Sequence, residues 1–373
     1  MTARAFFATF RAIVADRSAF LLLVLSAVLY SFFYPSAYSG EVATRIPVVV
    51  VDMDHSRSSR DLIRHLSGLQ QAEMVGQVAS PAEALRWLKE RRASAIVLVP
   101  EDFERRVLNG GQGTIALYGN GAYLLRSSTG LAGVGAALGA LGREAAVGQA
   151  MAQGSPTPPA LGVIARPLFN TREGYGSTVF PGVAFLIINQ TLVMGLALLA
   201  ATMREREGTL RFPLSSLLGV ALAFFVIGSI DVAYFTGFVF WFQDYPRAAA
   251  GAGTLIVAAI AFVAATVAAA LALGSFFRTR ERAIQLWIVT SLPIFFLSGL
   301  SWPSEATPGW LVVLARFLPT TAGIHLMVGV NQMGATLGEQ MTELYNLILL
   351  TVLYGLIASY RMCFAKQHVS PVA

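Results

Sequence analysis

Met203-Arg-Glu-Arg-Glu-Gly-Thr-Leu-Arg211 is the stretch on which the reading of this chain turns. Before it nothing from Gly174 to Met203 is charged, and apolar character resumes at Phe212. A knot of charge between two long apolar runs belongs in water at a membrane face, because hydrocarbon expels ionised groups. Arg204, Arg206 and Arg211 fall within eight residues, and short arginine-rich loops are retained on the cytoplasmic side. The rest of the chain is oriented from this loop.

Composition agrees. With 55% hydrophobic and 13% charged residues among 373, the chain is too apolar for a soluble globular protein. The net charge of +6 does not point to nucleic acid, since the arginines sit at the ends of apolar runs and form no stripe. Cys363 is the only cysteine, which leaves no disulfide framework and no thiolate metal site.

Residues 1–17 place Arg4, Arg11 and Arg17 among Phe6, Phe7, Phe10, Ile13 and Val14, the pattern of a cytoplasmic amphipathic helix on the membrane surface. Residues 18–40 are uncharged and long enough to span, with Tyr30, Tyr34 and Tyr38 as an aromatic belt on one face. A cleaved signal peptide competes with this reading, but the run is long and no small-x-small cleavage site follows. Residues 41–173 change to an α/β rhythm. Strands are expected at Ile46–Val51, Ser94–Val99 and Thr114–Tyr118. Ser80-Pro-Ala-Glu83 opens a helix as a capping box, and a short helix from near Glu101 stops at Asn109-Gly-Gly111. A long helix is expected from Tyr123 to Gln153, with Gly135 and Gly139 spaced for close helix approach.

Further spans are expected at Tyr175–Met203, Phe212–Trp241, Gly251–Phe277, Ala283–Leu300 and Leu344–Tyr360. Residues 301–340 are broken by Pro303, Pro308 and Pro319 and are read as short helices dipping into the outer leaflet. On the proposed inner side stand Arg4, Arg11, Arg17, Arg204, Arg206, Arg211, Arg278, Arg280, Arg282, Arg361 and Lys366, whereas the short outer connections hold Arg247 and Arg316. The expected fold is an α-helical integral membrane protein with six transmembrane helices. An extracytoplasmic α/β domain is inserted between spans one and two, a five-span domain covers 174–361, and a tail covers 362–373. Both termini are expected in the cytoplasm.

Phe296-Leu-Ser-Gly-Leu-Ser-Trp-Pro303, then Pro308, Trp310 and Leu318-Pro-Thr-Thr321, resembles the signature around the fifth span of the type-2 ABC exporter permeases. Arg204-Glu-Arg-Glu-Gly-Thr209 is similar to that family's inner loop. Phe169-Asn170, Phe180-Pro-Gly182 and Asn331-Gln-Met-Gly-Ala335 resemble the branch with a large domain after the first span, as do Val48–Val51, Asp52-Met-Asp54 and Ser58-Ser-Arg60. Thr171 stands where much of that branch has proline. The resemblance implies a bacterial inner-membrane permease that exports an amphipathic or hydrophobic compound by alternating access. It implies an ATPase-coupling loop at Arg204, Glu205, Arg206, Glu207, Gly208, Thr209 and Arg211, and an outer gate at Phe296, Ser298, Gly299, Pro303 and Pro319. It also implies a cytoplasmic ABC ATPase, a second permease copy or related permease, membrane lipid and a periplasmic adaptor as partners.

The residues themselves fit a non-catalytic subunit. Lys89 and Lys366 are followed by Glu90 and Gln367, so no glycine-rich loop ends in Gly-Lys-Ser or Gly-Lys-Thr. ATP and Mg are therefore expected on a separate ATPase, with no cofactor on this chain. The charged loop also reads as an ordinary topology determinant, and Ser298, Gly299 and Pro303 also read as packing and turn residues. Asp231, twenty residues beyond Arg211 and so about 30 Å along a helix, is expected to anchor near the outer boundary, with a proton or substrate contact as the competing role. His325 is expected as a hydrogen-bonded histidine in the broken segment, with a metal ligand or proton relay as the competing role. A calcium loop from Asp52 fails, because Arg57 stands at position six and Ile63 at position twelve, so no metal is expected. A receptor using the α/β domain is the alternative function, but it leaves five further spans without a purpose.

Overall fold

The computed structural model describes residues 1–38, 45–68, 72–90, 92–109, 113–119, 132–140, 142–143, 174–208, 211–247, 249–302 and 304–364. The chain divides into two compact units, Met1–Glu41 with Pro167–Ala373, and Val42–Arg166. In chain order the first unit opens with α1 (Thr2–Ala15) and α2 (Arg17–Ala37). Asp16 separates them in an extended conformation and caps α2, accepting from the Ser18 and Ala19 amides.

The second unit runs β1 (Ile46–Asp52), α3 (Arg57–Ser67), β2 (Ala72–Val78), α4 (Pro81–Lys89), β3 (Ala95–Val99), α5 (Phe103–Leu108), β4 (Ala116–Gly119) and a helix α6 over 132–140. The sheet order is β2-β1-β3-β4, with β4 antiparallel to β3 and the rest parallel. The valine run is buried because β1 is central and covered on both sides. Val48 and Val50 pack with Leu62, Ile63 and Leu66 of α3, while Val49 and Val51 pack with Ala84 and Leu88 of α4. Ser80 caps α4 through a 3.2 Å bond from the Glu83 amide. Against the expected strands, β3 begins one residue later, at Ala95, and β4 two residues later, at Ala116. An unexpected one, β2, lies at the sheet edge, where alternate side chains face solvent and leave no apolar run to read. Val134 and Leu138 of α6 join the core beside Leu117. The nearest side chain to Gly135 is Leu117 of β4, so this glycine faces the sheet and not the helix expected there. The remainder of the Tyr123–Gln153 expectation lies outside the described residues, apart from 142–143.

The chain returns to the first unit with α7 (Tyr175–Glu207), α8 (Leu214–Phe242), α9 (Ala252–Gly274) and α10 (Arg280–Leu297). After a short turn come α11 (Gly309–Ala315), α12 (Pro319–Asn331) and α13 (Met341–Phe364). Among the described residues five helices, α2, α7, α8, α9 and α13, are long and apolar enough to cross a membrane. The α11–α12 pair, bent by 83°, makes six if it counts as one broken span. The expected fifth span, Ala283–Leu300, is corrected to α10. It has 18 residues and begins Arg280-Glu-Arg282, and the charged first turn shortens its apolar length below the roughly 20 residues a span needs. The last helix continues to Phe364, past the expected boundary at 361.

α7 is the centre of the unit. It packs against α2, α8, α9, α10 and α12, and Phe180 and Phe185 sit in an aromatic core with Phe235, Phe240 and Phe262. At Gly228, α8 passes so close that an added Cβ would lie 2.7 Å from Leu192 and 2.8 Å from Val263. α1 packs along α8 with Thr9 and Ile13 buried. Tyr34, Tyr38 and Tyr175 cluster with ring separations near 5 Å at the opposite end of α2 from Asp16.

Candidate functional site

The charged loop begins where α7 ends at Gly208, in the left-handed conformation at φ 71°. Arg204 turns inward. Its Nη1 donates to Phe277 O at 2.7 Å and Ser275 O at 3.3 Å, satisfying carbonyls left open where α9 stops. Glu205 Oε1 accepts from the Arg280 amide at 2.9 Å, at the start of α10. Arg361 donates Nε to Ser275 Oγ at 3.0 Å and lies 3.7 Å over the Phe276 ring. The Phe212 amide bonds Met362 O at 3.0 Å. Arg206, Gly208 and Arg211 are exposed. Thr209 lies outside the described residues, and only the helical backbone of Glu207 is described.

Arg280 extends this network to α2. Its Nη1 and Nη2 meet the two Asp16 carboxylate oxygens at 3.0 and 3.1 Å, a bidentate pair. Burial pushes the Asp16 carboxyl up, but bonds from Ala19, Arg280 and Ser18 outweigh it and hold the group below the usual carboxylate range. Asp16, Arg280 and Arg361 were not anticipated as a network. Their signal was charge at the ends of three apolar runs, which says nothing about which ends meet.

Halfway along α7, Asn189 joins three helices. Its Nδ2 donates to Thr266 of α9 at 2.9 Å and its Oδ1 accepts from Thr320 of α12 at 2.8 Å, all three residues being buried. Asn189-Gln190 is the readable signal, an amide pair within an apolar span. Beside this bridge an apolar cavity of about 400 Å³ lies among α7, α9, α10, α12 and α13, lined by Val193, Met194, Leu273, Leu286, Ile294 and Tyr354, and reaching Phe276 and Phe277. The indole Nε1 of Trp287 is buried with no hydrogen-bond partner among the described residues.

A second cavity, of about 610 Å³, lies at the far end of α10, and Phe296, Gly299 and His325 line it. Ser298 is fully buried and donates to Phe295 O, ending α10. Gly299 follows at φ 78°, where a Cβ would stand 2.9 Å from His325 Nε2. His325 Nδ1 is 3.8 Å from Glu343 Oε1 of α13. Pro319 opens α12, buried, and lines the first cavity instead, so the expected gate residues divide between two spaces. Pro303 lies outside the described residues. Asp231 is 8% exposed, lines neither cavity, and its Oδ2 has no partner among the described residues. In the other unit, Asp52 accepts from the Asp54 and His55 amides and from the Ser59 hydroxyl, closing the turn after β1.

The sequence family described as ABC-2 family transporter protein matches residues 17–360. No curated protein matches the chain significantly. With nearly its whole length covered, this chain belongs to the ABC-2 transporter permease family and is a multi-pass membrane subunit of an ABC transporter, a class that works with an ATPase subunit. The receptor alternative leaves the match over 17–360 and the apolar helices unexplained.

Proposed function

We propose that the chain is the permease subunit of an ATP-driven exporter in a bacterial inner membrane, moving an amphipathic or hydrophobic compound outward by alternating access. Both termini and the Arg204–Arg211 loop face the cytoplasm, and the α/β unit lies outside, where it shapes exit or meets a periplasmic adaptor. Two permeases, identical or related, pair with two ATPase subunits that hold ATP and Mg. The basic residues at the ends of α7 and α13 and the start of α10 support this orientation.

The observation that carries the coupling role is the double tie of the charged segment. Arg204 and Glu205 bond the α9–α10 junction, and Arg280 bonds Asp16 at the head of α2. A push delivered to the exposed Arg206, Gly208 and Arg211 is thereby transmitted to α10 and α2 together. Phe296 and Gly299 then line the outward space, Ser298 ends α10 beside it and His325–Glu343 bridges α12 and α13, with Pro303 kept as a gate residue on the sequence alone. Pro319 sits at the boundary between this space and the inner cavity, and Asp231 anchors α8.

The test is co-purification of the tagged full chain from its host in mild detergent, with ATP hydrolysis measured on the product. Charge reversal at Arg206 and Arg211 is expected to release the ATPase and its hydrolysis while leaving the permease folded. A stable permease that carries no ATPase, or one whose ATPase ignores both reversals, refutes the coupling loop.

A further inference from the structure

α7 is sealed along most of its length and opens at one place. From Phe180 to Thr202 every residue is buried apart from Gln190 and Val193, which are half-buried, and both line the apolar cavity beside the Asn189 bridge. Three residues apart on a helix, they share a face. That face is the α7 wall of the cavity.

The other polar side chains of the cavity are already satisfied or closed off. Asn189 holds Thr266 and Thr320. Tyr354 gives its hydroxyl to Phe317 O at 2.6 Å, and Thr290 gives its own to Leu286 O at 2.8 Å. The Trp287 Nε1 has no surface open to the space. The Gln190 side-chain amide alone is open and makes no hydrogen bond among the described residues. None of the described lining residues is charged.

A primary amide offers two N–H donors and an acceptor oxygen. Facing hydrocarbon it goes unsatisfied at a cost. An ordered water takes two to four polar partners, and this wall opens a single amide. The occupant that completes the site carries one hydroxyl, carbonyl or amide on an apolar body. A charged head is excluded, because no counter-charge in the wall offsets its desolvation. A volume of about 400 Å³ falls in the range of small-molecule sites.

We infer that this cavity binds the cargo as an uncharged hydrophobe, its one polar group hydrogen-bonded to Gln190 and its apolar body packed on Val193, Met194, Leu286 and Ile294. The ligand class rests on reading the chain as an exporter of amphipathic or hydrophobic compounds, whose cargo it narrows to uncharged molecules. Gln190 is the residue that separates an alcohol or amide from a plain hydrocarbon such as a lipid tail.

The experiment uses the full chain without nucleotide in phosphatidylcholine nanodiscs, photolabelled with a dodecanol carrying a diazirine on its chain, with adducts located by peptide mass spectrometry. Adducts on α7 and α10 around Gln190 and Leu286 are expected. Dodecanol is expected to compete about five-fold better than dodecane, the worth of one net hydrogen bond. Dodecylammonium is expected to compete about ten-fold less well than dodecanol. Gln190→Met keeps an unbranched chain and is expected to erase the advantage of dodecanol over dodecane while labelling persists. Equal competition by dodecanol and dodecane in the native chain makes the cavity a slot for lipid tails and overturns the inference. An advantage that survives Gln190→Met, or an ammonium that competes like the alcohol, overturns it as well. Should Gln190→Met lower the thermal midpoint, Val193→Phe leaves the amide in place, fills the cavity and is expected to remove the adducts; adducts undiminished in it overturn the site. No ATPase takes part in the binding. A chain that co-purifies with its ATPase but shows no alcohol preference therefore defeats this inference alone, and one that binds the alcohol but carries no ATPase defeats the coupling loop alone.

Discussion

The helices Tyr175–Glu207 and Arg280–Leu297 lie side by side and are held in opposite ways. The first is enclosed on almost every side, locked by the Asn189 bridge and by close packing where Gly228 meets Leu192. The second buries only Ala283 along its length and has a cavity beside it and another at its far end. Its firm moorings are at its ends, Arg280 on Asp16 and Thr321 on the Leu297 carbonyl at 3.1 Å. One helix is scaffold, and its neighbour is tethered at two points with space between. Dense packing gives discrete, rigid contacts, whereas an element with few buried contacts moves at low cost.

Three substitutions test this contrast. Gly228→Leu forces a side chain into Leu192 and Val263, so it strikes the scaffold. A loss of about 3 kcal/mol is expected, at the upper end for overpacking, read as a lowered thermal midpoint in detergent. A midpoint shift within error would show that the α7–α8–α9 contact is soft. Asn189→Leu removes the three-helix bridge while keeping a side chain of four heavy atoms branched at Cγ. About 1–2 kcal/mol is expected, because the two threonine hydroxyls can return to carbonyls of their own helices. Protease susceptibility should rise around α12 if the bridge is what holds it.

Asp16→Asn touches only the mooring of α10 and should cost up to about 1 kcal/mol. Its sharper signature is in pH. The Asp16 carboxyl is depressed in the fold, so its contribution is present above the ordinary carboxylate pKa and is lost as pH falls through the lower folded value. Stability of the native chain should therefore drop in acid, below about pH 4, more steeply than that of Asp16→Asn. Parallel acid curves for the two chains would mean that Arg280 and Asp16 are not coupled in solution.

Much of the fold was legible because its signals are local. Uncharged runs longer than about 20 residues announce spans, the valine run announces a strand buried on both faces, and Ser80 announces its helix. The edge strand Ala72–Val78 was not legible, since a half-exposed strand with glycine at its middle lacks a hydrophobic run. The site was legible only in pieces. Gly299 and His325, 26 positions apart in sequence, share a cavity, whereas Pro319, nearer to His325 in the chain, lines the other one.

The residue pattern alone places this chain in a membrane, inserts an α/β unit after the first apolar helix, and contains no Gly-Lys-Ser or Gly-Lys-Thr loop. These follow from hydropathy and short motifs, which depend on neighbours along the chain. Tertiary structure decided that Arg204 faces inward while Arg206 faces out, that Asp16 meets Arg280 across 264 positions, and that Asn189 bridges three helices. Such pairings depend on which helix ends and faces packing brings together, and many equally apolar faces leave the pattern of residues unable to specify them in advance.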